Sequence, residues 1–304
     1  MKKILLTGTS GRLGRQLVPM LLERGYGVHA MVHRRELPSA WGSQVTEIRC
    51  SLTDQQAVAE AVAGVDVVCH LGALMPPTPD DEIFETNIRG TYHLLQAVCG
   101  RKPWFVFASS DAVYCTGWSL DRYTTPVSED LCWRPVLFYG ISKVLGEQMC
   151  INYQDAMKVR CVRLRFPTIV EPRDALALFL EAPYRDLLIP DDAGKWDDPS
   201  TVKVALEEDG RPFLEHVVDV RDAAQGTLLA IEKESAAGHA FNIAGPAAFT
   251  YREVGPWVAE RLGAEAVPGR CRGLHSFELS IEKARRVLGY RPQFRIMDSL
   301  KDVL

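Results

Sequence analysis

The chain predicts an α/β fold: a doubly wound parallel sheet with a smaller lobe built from its C-terminal part. Three observations carry this. Short, almost continuously apolar runs alternate with helical stretches through the first half, glycines crowd the end of the first apolar run, and the alternation degrades after Pro172. At 304 residues the chain can bury a sizeable core, as one large domain or two lobes.

"KKILLTG" (2–8) and "GVHAMV" (27–32) read as strands flanking the helical stretch "RLGRQLVPMLLERG". Pro19 is expected in the first turns of that helix, where proline is tolerated. Next come "VTEIRC" (45–50), a helix from Asp54 to about Ala63, and "DVVCHLGA" (66–73). A long helix from about Asp81 to Gly100, the strand "WFVFASS" (104–110), a helix carrying Tyr139 and the strand "KVRCVRLR" (158–165) follow. Strands without polar alternation, set between helices, indicate a parallel sheet covered on both faces. Later, "IPDDAGKWDDPS" is an acidic, turn-rich loop, and "LEHVVDV" (214–220) and "HAFNIAG" (239–245) read as strands returning to the core. "SIEKARRVLGYRP" reads as a closing helix with Ser280 as N-cap, Gly289 just past its end and Pro292 beyond.

Composition excludes several classes. A net charge of −4 gives no reason to expect nucleic acid or an anionic membrane as partner. No apolar run approaches the ~20 residues that span a bilayer. "MKKILLTGTSGRLG" starts like a signal peptide, but its apolar "ILL" is too short, so the expectation is a cytoplasmic protein. The eight cysteines (50, 69, 99, 115, 132, 150, 161 and 271) form no C-x-x-C pair and read as reduced, mostly buried thiols, with no metal site.

"TGTSGRLG" places Gly8, Gly11 and Gly14 directly after the first strand and at the start of the first helix. Such a turn lets backbone approach a pyrophosphate and aims a helix N-terminus at the anion. The strand, helix and βαβ rhythm stand where a dinucleotide site needs them, although the spacing is G-x-x-G-x-x-G. The fold is therefore Rossmann-type, with 1–172 expected as the dinucleotide-binding domain and 173–304 as mainly a substrate-binding lobe. At the end of the second strand, Val32 stands where NAD enzymes present an acid, followed by His33, Arg34 and Arg35. A guanidinium grips a 2′-phosphate that a carboxylate would repel, which favours NADP over NAD.

"FYGISK" (138–143) puts Tyr139 and Lys143 one helical turn apart. With Ser110, at the end of "WFVFASS", they supply a serine, a tyrosine and a lysine around a nicotinamide site. A free phenol, with pKa near ~10, is a poor base; a nearby ammonium and the cationic nicotinamide are expected to lower it. The tyrosine then exchanges a proton with a substrate hydroxyl while hydride moves, and Ser110 holds the substrate oxygen.

Taken with "DVVCHLGA", "NIRGT" (87–91), "SSDAVY", "HVVDVRDAA" and "KARRVLGYRP", these motifs resemble, over nearly the whole chain, the extended short-chain dehydrogenase/reductases of the NAD(P)-dependent sugar epimerase/dehydratase family. The resemblance implies Ser110, Tyr139 and Lys143 as the catalytic set, with Lys143 also on the nicotinamide ribose. It implies a cofactor site of Gly8, Thr9, Ser10, Gly11, Arg12, Leu13 and Gly14 at the glycine turn. His33, Arg34, Arg35, Ser51 and Leu52 would lie at the adenosine end, Leu71, Gly72 and Ala73 behind the fourth strand, and Asn87 and Pro167 in support. "GVHAMVHRR" is similar to the second strand of NADP-using GDP-mannose dehydratases. The activity implied is that of an oxidoreductase or epimerase acting on a secondary alcohol or ketone of a sugar or nucleotide-sugar, and the assembly a homodimer through the helix carrying Tyr139 and the long helix before it.

Departures from the family pattern fall near the substrate. Ser51 replaces an adenine-contacting Asp, Cys115 and Glu171 replace glycines, and Thr168 stands where an asparagine often touches the substrate. Asp111 is followed by Ala112 rather than Glu, which disfavours 4,6-dehydration. Arg211 falls near the arginine that meets a substrate diphosphate, about one residue out of register. His70 and His216 read as packed structural histidines. Trp118, Trp133 and Trp196 could stack on a sugar or simply pin loops. Two other readings stay open: an NADPH-dependent reductase of a non-sugar ketone, and a non-catalytic NADP-binding redox sensor.

Overall fold

A computed structural model describes residues 1–100, 103–114 and 125–304; Cys115 and Trp118 fall outside these. β1 (Lys3–Thr7), α1 (Arg12–Glu23), β2 (Gly27–Val32), β3 (Val45–Arg49), α2 (Gln55–Ala61) and β4 (Val67–His70) form the first half of a parallel sheet. α3 (Asp80–Ile83), a π-helical turn (Phe84–Arg89), α4 (Gly90–Val98), β5 (Trp104–Ser110), α5 (Phe138–Met157) and β6 (Arg160–Phe166) continue it. The seven strands run in the order β11-β6-β5-β4-β1-β2-β3, where β11 is Ala240–Asn242. Every pairing in this sheet is parallel. Chain order reverses between β1 and β4, and a crevice opens at such a switch point beyond the strands' carboxyl ends.

Alternate residues of β1 enter different cores, which is why it is apolar throughout. Ile4 and Leu6 pack with α1 on one face, and Leu5 with Val58, Leu94 and Cys150 of α2, α4 and α5 on the other. Asp54 caps α2, its carboxylate accepting from Ala57 N at 3.0 Å. The long helix expected at 81–100 is present but interrupted by the π turn that carries Asn87. Pro19 lies in the middle of α1, not in its first turns. It is tolerated there because it sits on the exposed face, where water can satisfy the carbonyl its ring leaves unpaired.

The rest of the chain divides between sheet and lobe. β7 (Thr168–Val170) leads into α6 (Pro172–Leu180), followed by β8 (Val202–Glu207), β9 (Leu214–Glu215), β10 (Val217–Asp219) and α7 (Val220–Glu232). After β11 come β12 (Phe249–Thr250), α8 (Tyr251–Leu262), β13 (Ala266–Cys271), α9 (Glu282–Leu288) and α10 (Ile296–Lys301). α7 packs on α1 and β11 closes the sheet edge, so both belong to the main sheet. The run at 214–220 divides instead: β9 pairs antiparallel with β12, and β10 pairs with β7. β8 and β13 form a parallel pair covered by α8, the body of the smaller C-terminal lobe. The closing helix starts one residue later than expected, with Ile281 in the cap position and the Ser280 hydroxyl 3.5 Å from Glu282 N. Gly289 ends it at φ +73°, in the left-handed region.

Candidate active site

The glycine turn works by close approach. Gly8 sits at φ +69°, and a Cβ there would lie 2.7 Å from Gly72 N. A Cβ on Gly14 would lie 2.5 Å from the Gly8 carbonyl oxygen, so α1 can touch β1 only through a glycine. The Thr7 hydroxyl accepts from Gly72 N at 3.0 Å, fixing the second loop against the first.

Beside this turn opens a cleft of about 550 Å³. Gly8 and Ser10 form its floor, and Gly72 and Ala73 one side. His33, Arg34 and Arg35 line the far end with Ser51 and Leu52. The cleft joins residues that the sequence separates widely, and its size and backbone-lined floor suit a dinucleotide. Asp81, Glu82 and Glu85 add an acidic wall that the motifs did not single out, because nothing local marks that helix as facing the cleft.

Other expected cofactor residues stand behind the wall. The buried Thr9 hydroxyl donates to Leu6 O at 2.7 Å, Leu13 is in the core and Pro167 is buried beyond β6. Gly11 holds the N-cap position of α1. The Arg12 guanidinium is tied to Asp174 at 2.7 Å, and the same carboxylate accepts from Glu171 N, so Glu171 starts α6. Leu71 packs against the core. Asn87 braces the loop after β4: its amide accepts from Leu74 N at 2.8 Å and donates to Leu74 O at 2.9 Å and to the Ser142 hydroxyl at 3.1 Å.

At the carboxyl end of β5 the structure brings Ser110, Tyr139 and Lys143 together. Two glycines permit it. A Cβ on Gly140 would sit 2.7 Å from Ala112 O, and one on Gly146 would collide with the Phe107 ring, so α5 lies close against β5. The Lys143 ammonium donates to Ala108 O at 2.7 Å and lies 5.6 Å from the centroid of the Tyr139 ring. Burial brings Lys143 down to about 8, against the opposing pull of the Glu147 carboxylate. Ser110 donates to Asp111 at 3.1 Å, and its hydroxyl shares a hydrogen bond with that of Tyr139.

Tyr139 departs from expectation. Burial pushes its phenol up to about 12; the bond to Ser110 works against this, and the negative Asp111 adds to it. The protein alone does not make this phenol acidic. Lys143 is itself desolvated and engaged by a backbone carbonyl, so the cationic partner reckoned on from the i,i+4 spacing is weakened.

Beneath α5 lies a buried polar lattice that no motif announced. Glu147 receives both Nε (2.8 Å) and Nη2 (2.7 Å) of Arg165 and the Ser109 hydroxyl at 2.6 Å. Arg165 also donates to the Tyr114 hydroxyl, which donates to Asn242 Oδ1 at 3.0 Å. The lattice ties β5, α5, β6 and β11 into one frame for the helix that carries Tyr139 and Lys143. Ser109 at the end of β5 and Arg165 on β6, both buried polar residues on central strands, were the available signal.

The remaining candidates are placed as follows. His70 bridges the Thr7 (2.7 Å) and Thr91 (3.0 Å) hydroxyls, and burial lowers it to about 3. His216 lies 3.0 Å from Gly245 O and accepts from Leu279 N at 3.1 Å, lowered to about 4 by burial. Both are packed structural residues. Trp196 is buried and donates to Val267 O, pinning the lobe, while Trp133 is half-buried beside Arg163. Thr168 is exposed at the start of β7. Arg211 is turned back onto Asp209 (2.8 Å) and Glu207 (3.2 Å) in the turn between β8 and β9.

A doubly wound parallel sheet with a glycine turn, a dinucleotide-sized cleft at the switch point and, at the carboxyl end of β5, a Ser–Tyr–Lys cluster outside the cleft's own lining is the arrangement of an oxidoreductase-type enzyme. The chain belongs to the NAD-dependent epimerase/dehydratase family, whose model matches residues 4–244. A uronate dehydrogenase of Pseudomonas putida is 30% identical over 190 residues, 61% of this chain and 68% of that one. The sterol-4-alpha-carboxylate 3-dehydrogenase (decarboxylating) of Dictyostelium discoideum is 31% identical over 59% of this chain, and the match spans only 57% of that protein. An L-arabinose 1-dehydrogenase (NAD(P)(+)) of Haloferax volcanii is 32% identical over 54% of this chain and 66% of its own length. Among solved structures, a short-chain dehydrogenase/reductase superfamily protein of Agrobacterium tumefaciens with bound NAD superposes with a TM-score of 0.85 at 30% identity, covering 99% of this chain and 95% of that one. No helix among the described residues is long and apolar enough to cross a membrane.

Proposed function

We propose that this protein is an NAD(P)-dependent oxidoreductase that oxidises a hydroxyl of a free sugar or reduces the matching carbonyl. The juxtaposition of Ser110, Tyr139 and Lys143 at the carboxyl end of β5 carries this reading. In the oxidative direction, Ser110 holds the substrate oxygen and Tyr139 accepts its proton as the C–H bond gives up hydride. A bound oxidised nicotinamide would supply the hydride acceptor and a positive charge that lowers the Tyr139 phenol. Lys143, pinned to the Ala108 carbonyl, is placed to bind the nicotinamide ribose. Thr168, exposed beside β10, and Asp111 complete the substrate end.

A free sugar is favoured over a nucleotide-sugar because Arg211 is engaged by Glu207 and Asp209 instead of being presented to a diphosphate. Relatives named for uronate and L-arabinose point the same way. NADP is favoured over NAD because His33, Arg34 and Arg35 form the far wall where Val32 replaces an acid. The smaller lobe, residues 173–304 apart from α7, β11 and α9, binds the substrate. Free thiols at the seven described cysteines suit a reducing cytoplasm. Exposed Tyr92, Ile141 and Leu145 on α4 and α5 suit a homodimer, and light scattering at micromolar concentration reads it.

The test is to follow reduced-cofactor absorbance with NADP or NAD and a panel of aldoses, uronates and nucleotide-sugars. Turnover with a free sugar, lost in Tyr139→Phe, supports the reading. Activity on nucleotide-sugars only, or an undiminished Tyr139→Phe, overturns it.

A further inference from the structure

Three consecutive residues at the end of β5 each take hold of α5, on successive turns of that helix. Ala108 O accepts from the Lys143 ammonium at 2.7 Å, the Ser109 hydroxyl donates to Glu147 Oε1 at 2.6 Å, and the Ser110 hydroxyl shares a hydrogen bond with Tyr139. Tyr139, Lys143 and Glu147 are spaced four apart and so form one stripe along the helix. Strand alternation puts Ser109 on the same face of β5 as Phe105 and Phe107, which pack with Cys150 of α5. The seam has little slack. Ser109, Lys143 and Glu147 are all buried, and Gly140 and Gly146 press the helix onto Ala112 O and the Phe107 ring. Arg165 also holds Glu147, at 2.8 and 2.7 Å, but it bears on β6. The Ser109 bond ties the far end of the stripe to the strand that carries Ser110.

We propose that Ser109 is a positioning residue: its bond to Glu147 sets where α5 seats along β5, and so how Tyr139 and Lys143 meet Ser110. This rests on the oxidoreductase reading above. A helix pinned to a strand at one point can slide or pivot, whereas two pins one turn apart leave it a single seat. Lys143 on Ala108 and Glu147 on Ser109 are those two pins, and Tyr139 follows one turn nearer the start of the helix. Proton exchange with a substrate hydroxyl needs the phenol within about 2.6–3.2 Å of it. A misplacement on the order of 1 Å costs up to about 10²-fold in rate. Removing the Ser109 hydroxyl leaves Glu147 paired with Arg165, so no buried charge is orphaned and the chain should still fold. The loss then falls on alignment and spares the dinucleotide, whose glycine turn belongs to β1 and α1.

The experiment measures kcat, KM and NADP affinity for the wild type, Ser109→Ala and Ser109→Thr, using the sugar that the panel above selects, with urea unfolding to show that each chain is folded. In Ser109→Ala, kcat should fall about 10–100-fold with KM and NADP affinity nearly unchanged. Ser109→Thr keeps the donor and should recover most of the rate. An undiminished kcat in Ser109→Ala, a loss carried by KM, or no recovery in a stably folded Ser109→Thr overturns the proposal. The seat is also read without turnover. The Lys143 ammonium lies 5.2 Å from the centroid of the Phe107 ring and 5.6 Å from that of Tyr139, so both rings shift the neighbouring Cε protons. In protein labelled with carbon-13 at lysine Cε, and with the signal assigned by Lys143→Arg, this resonance should move in Ser109→Ala and return in Ser109→Thr. A resonance that stays in place in Ser109→Ala sinks the proposal. Should no alcohol or ketone turn over, the oxidoreductase reading falls separately, and the resonance alone decides whether Ser109 seats the helix.

Discussion

The glycine turn and the buried tyrosine and carboxyl groups lie in one molecule but are built by opposite means. The turn comes from residues 7–14, close in sequence, and its chemistry is the absence of side chains: Gly8 and Gly14 clear the space, and backbone does the rest. Ser110, Tyr139, Tyr184, Glu215 and Tyr251 come instead from five separate stretches, and burial moves the charge states of these polar groups. A site of the first kind depends on backbone clearances that a single Cβ removes. One of the second kind stays in place only if every buried polar atom finds a partner.

The largest effect should come at the reacting centre. Tyr139→Phe is expected to lower kcat by about 10²–10⁴-fold with dinucleotide affinity nearly unchanged, as measured by fluorescence titration. A loss of affinity equal to the loss of rate would instead make Tyr139 a binding residue. Next, Arg165→Met leaves Glu147 buried and unpaired, which should cost about 3–5 kcal/mol in urea unfolding. Glu147→Leu in the same chain should restore much of that stability, whereas a harmless single variant would mean that the lattice does not hold α5.

On the other side of the comparison, Gly14→Ala drives a methyl into the Gly8 carbonyl, a backbone atom that cannot swing aside. We expect about 1–3 kcal/mol of destabilisation and clearly weaker NADP binding. Normal binding would show that the turn has room which its glycines do not report. The smallest effect concerns Glu215. Its folded pKa is raised from 4.5 to about 7, so its contribution to stability is full below the lower value and lost as pH rises through the upper. Stability should fall across that window by on the order of 2 kcal/mol or less, and Glu215→Gln should flatten the fall in pH-resolved urea melts.

Local pattern and tertiary assembly divided the evidence unevenly. Parallel strands, the glycine turn, the basic end of β2 and the Tyr139–Lys143 spacing were legible because each is a short-range pattern with a physical meaning of its own. Pro19 falls mid-helix even on the boundaries read from the sequence, Arg12 onward, so its tolerance comes from the exposed face it occupies and not from a first-turn position. Arg211 and Arg12 looked available for ligands until their carboxylate partners, Glu207, Asp209 and Asp174, came into view.

The amino-acid sequence by itself determined the sheet, the glycine turn and the Tyr139–Lys143 spacing on α5, since periodicity and close-packing glycines act over a few residues. Only the tertiary structure decided how those side chains are charged. Desolvation, and the pairing of Glu147 with Arg165 or of Glu215 with two tyrosines, depend on residues that come together from distant parts of the chain.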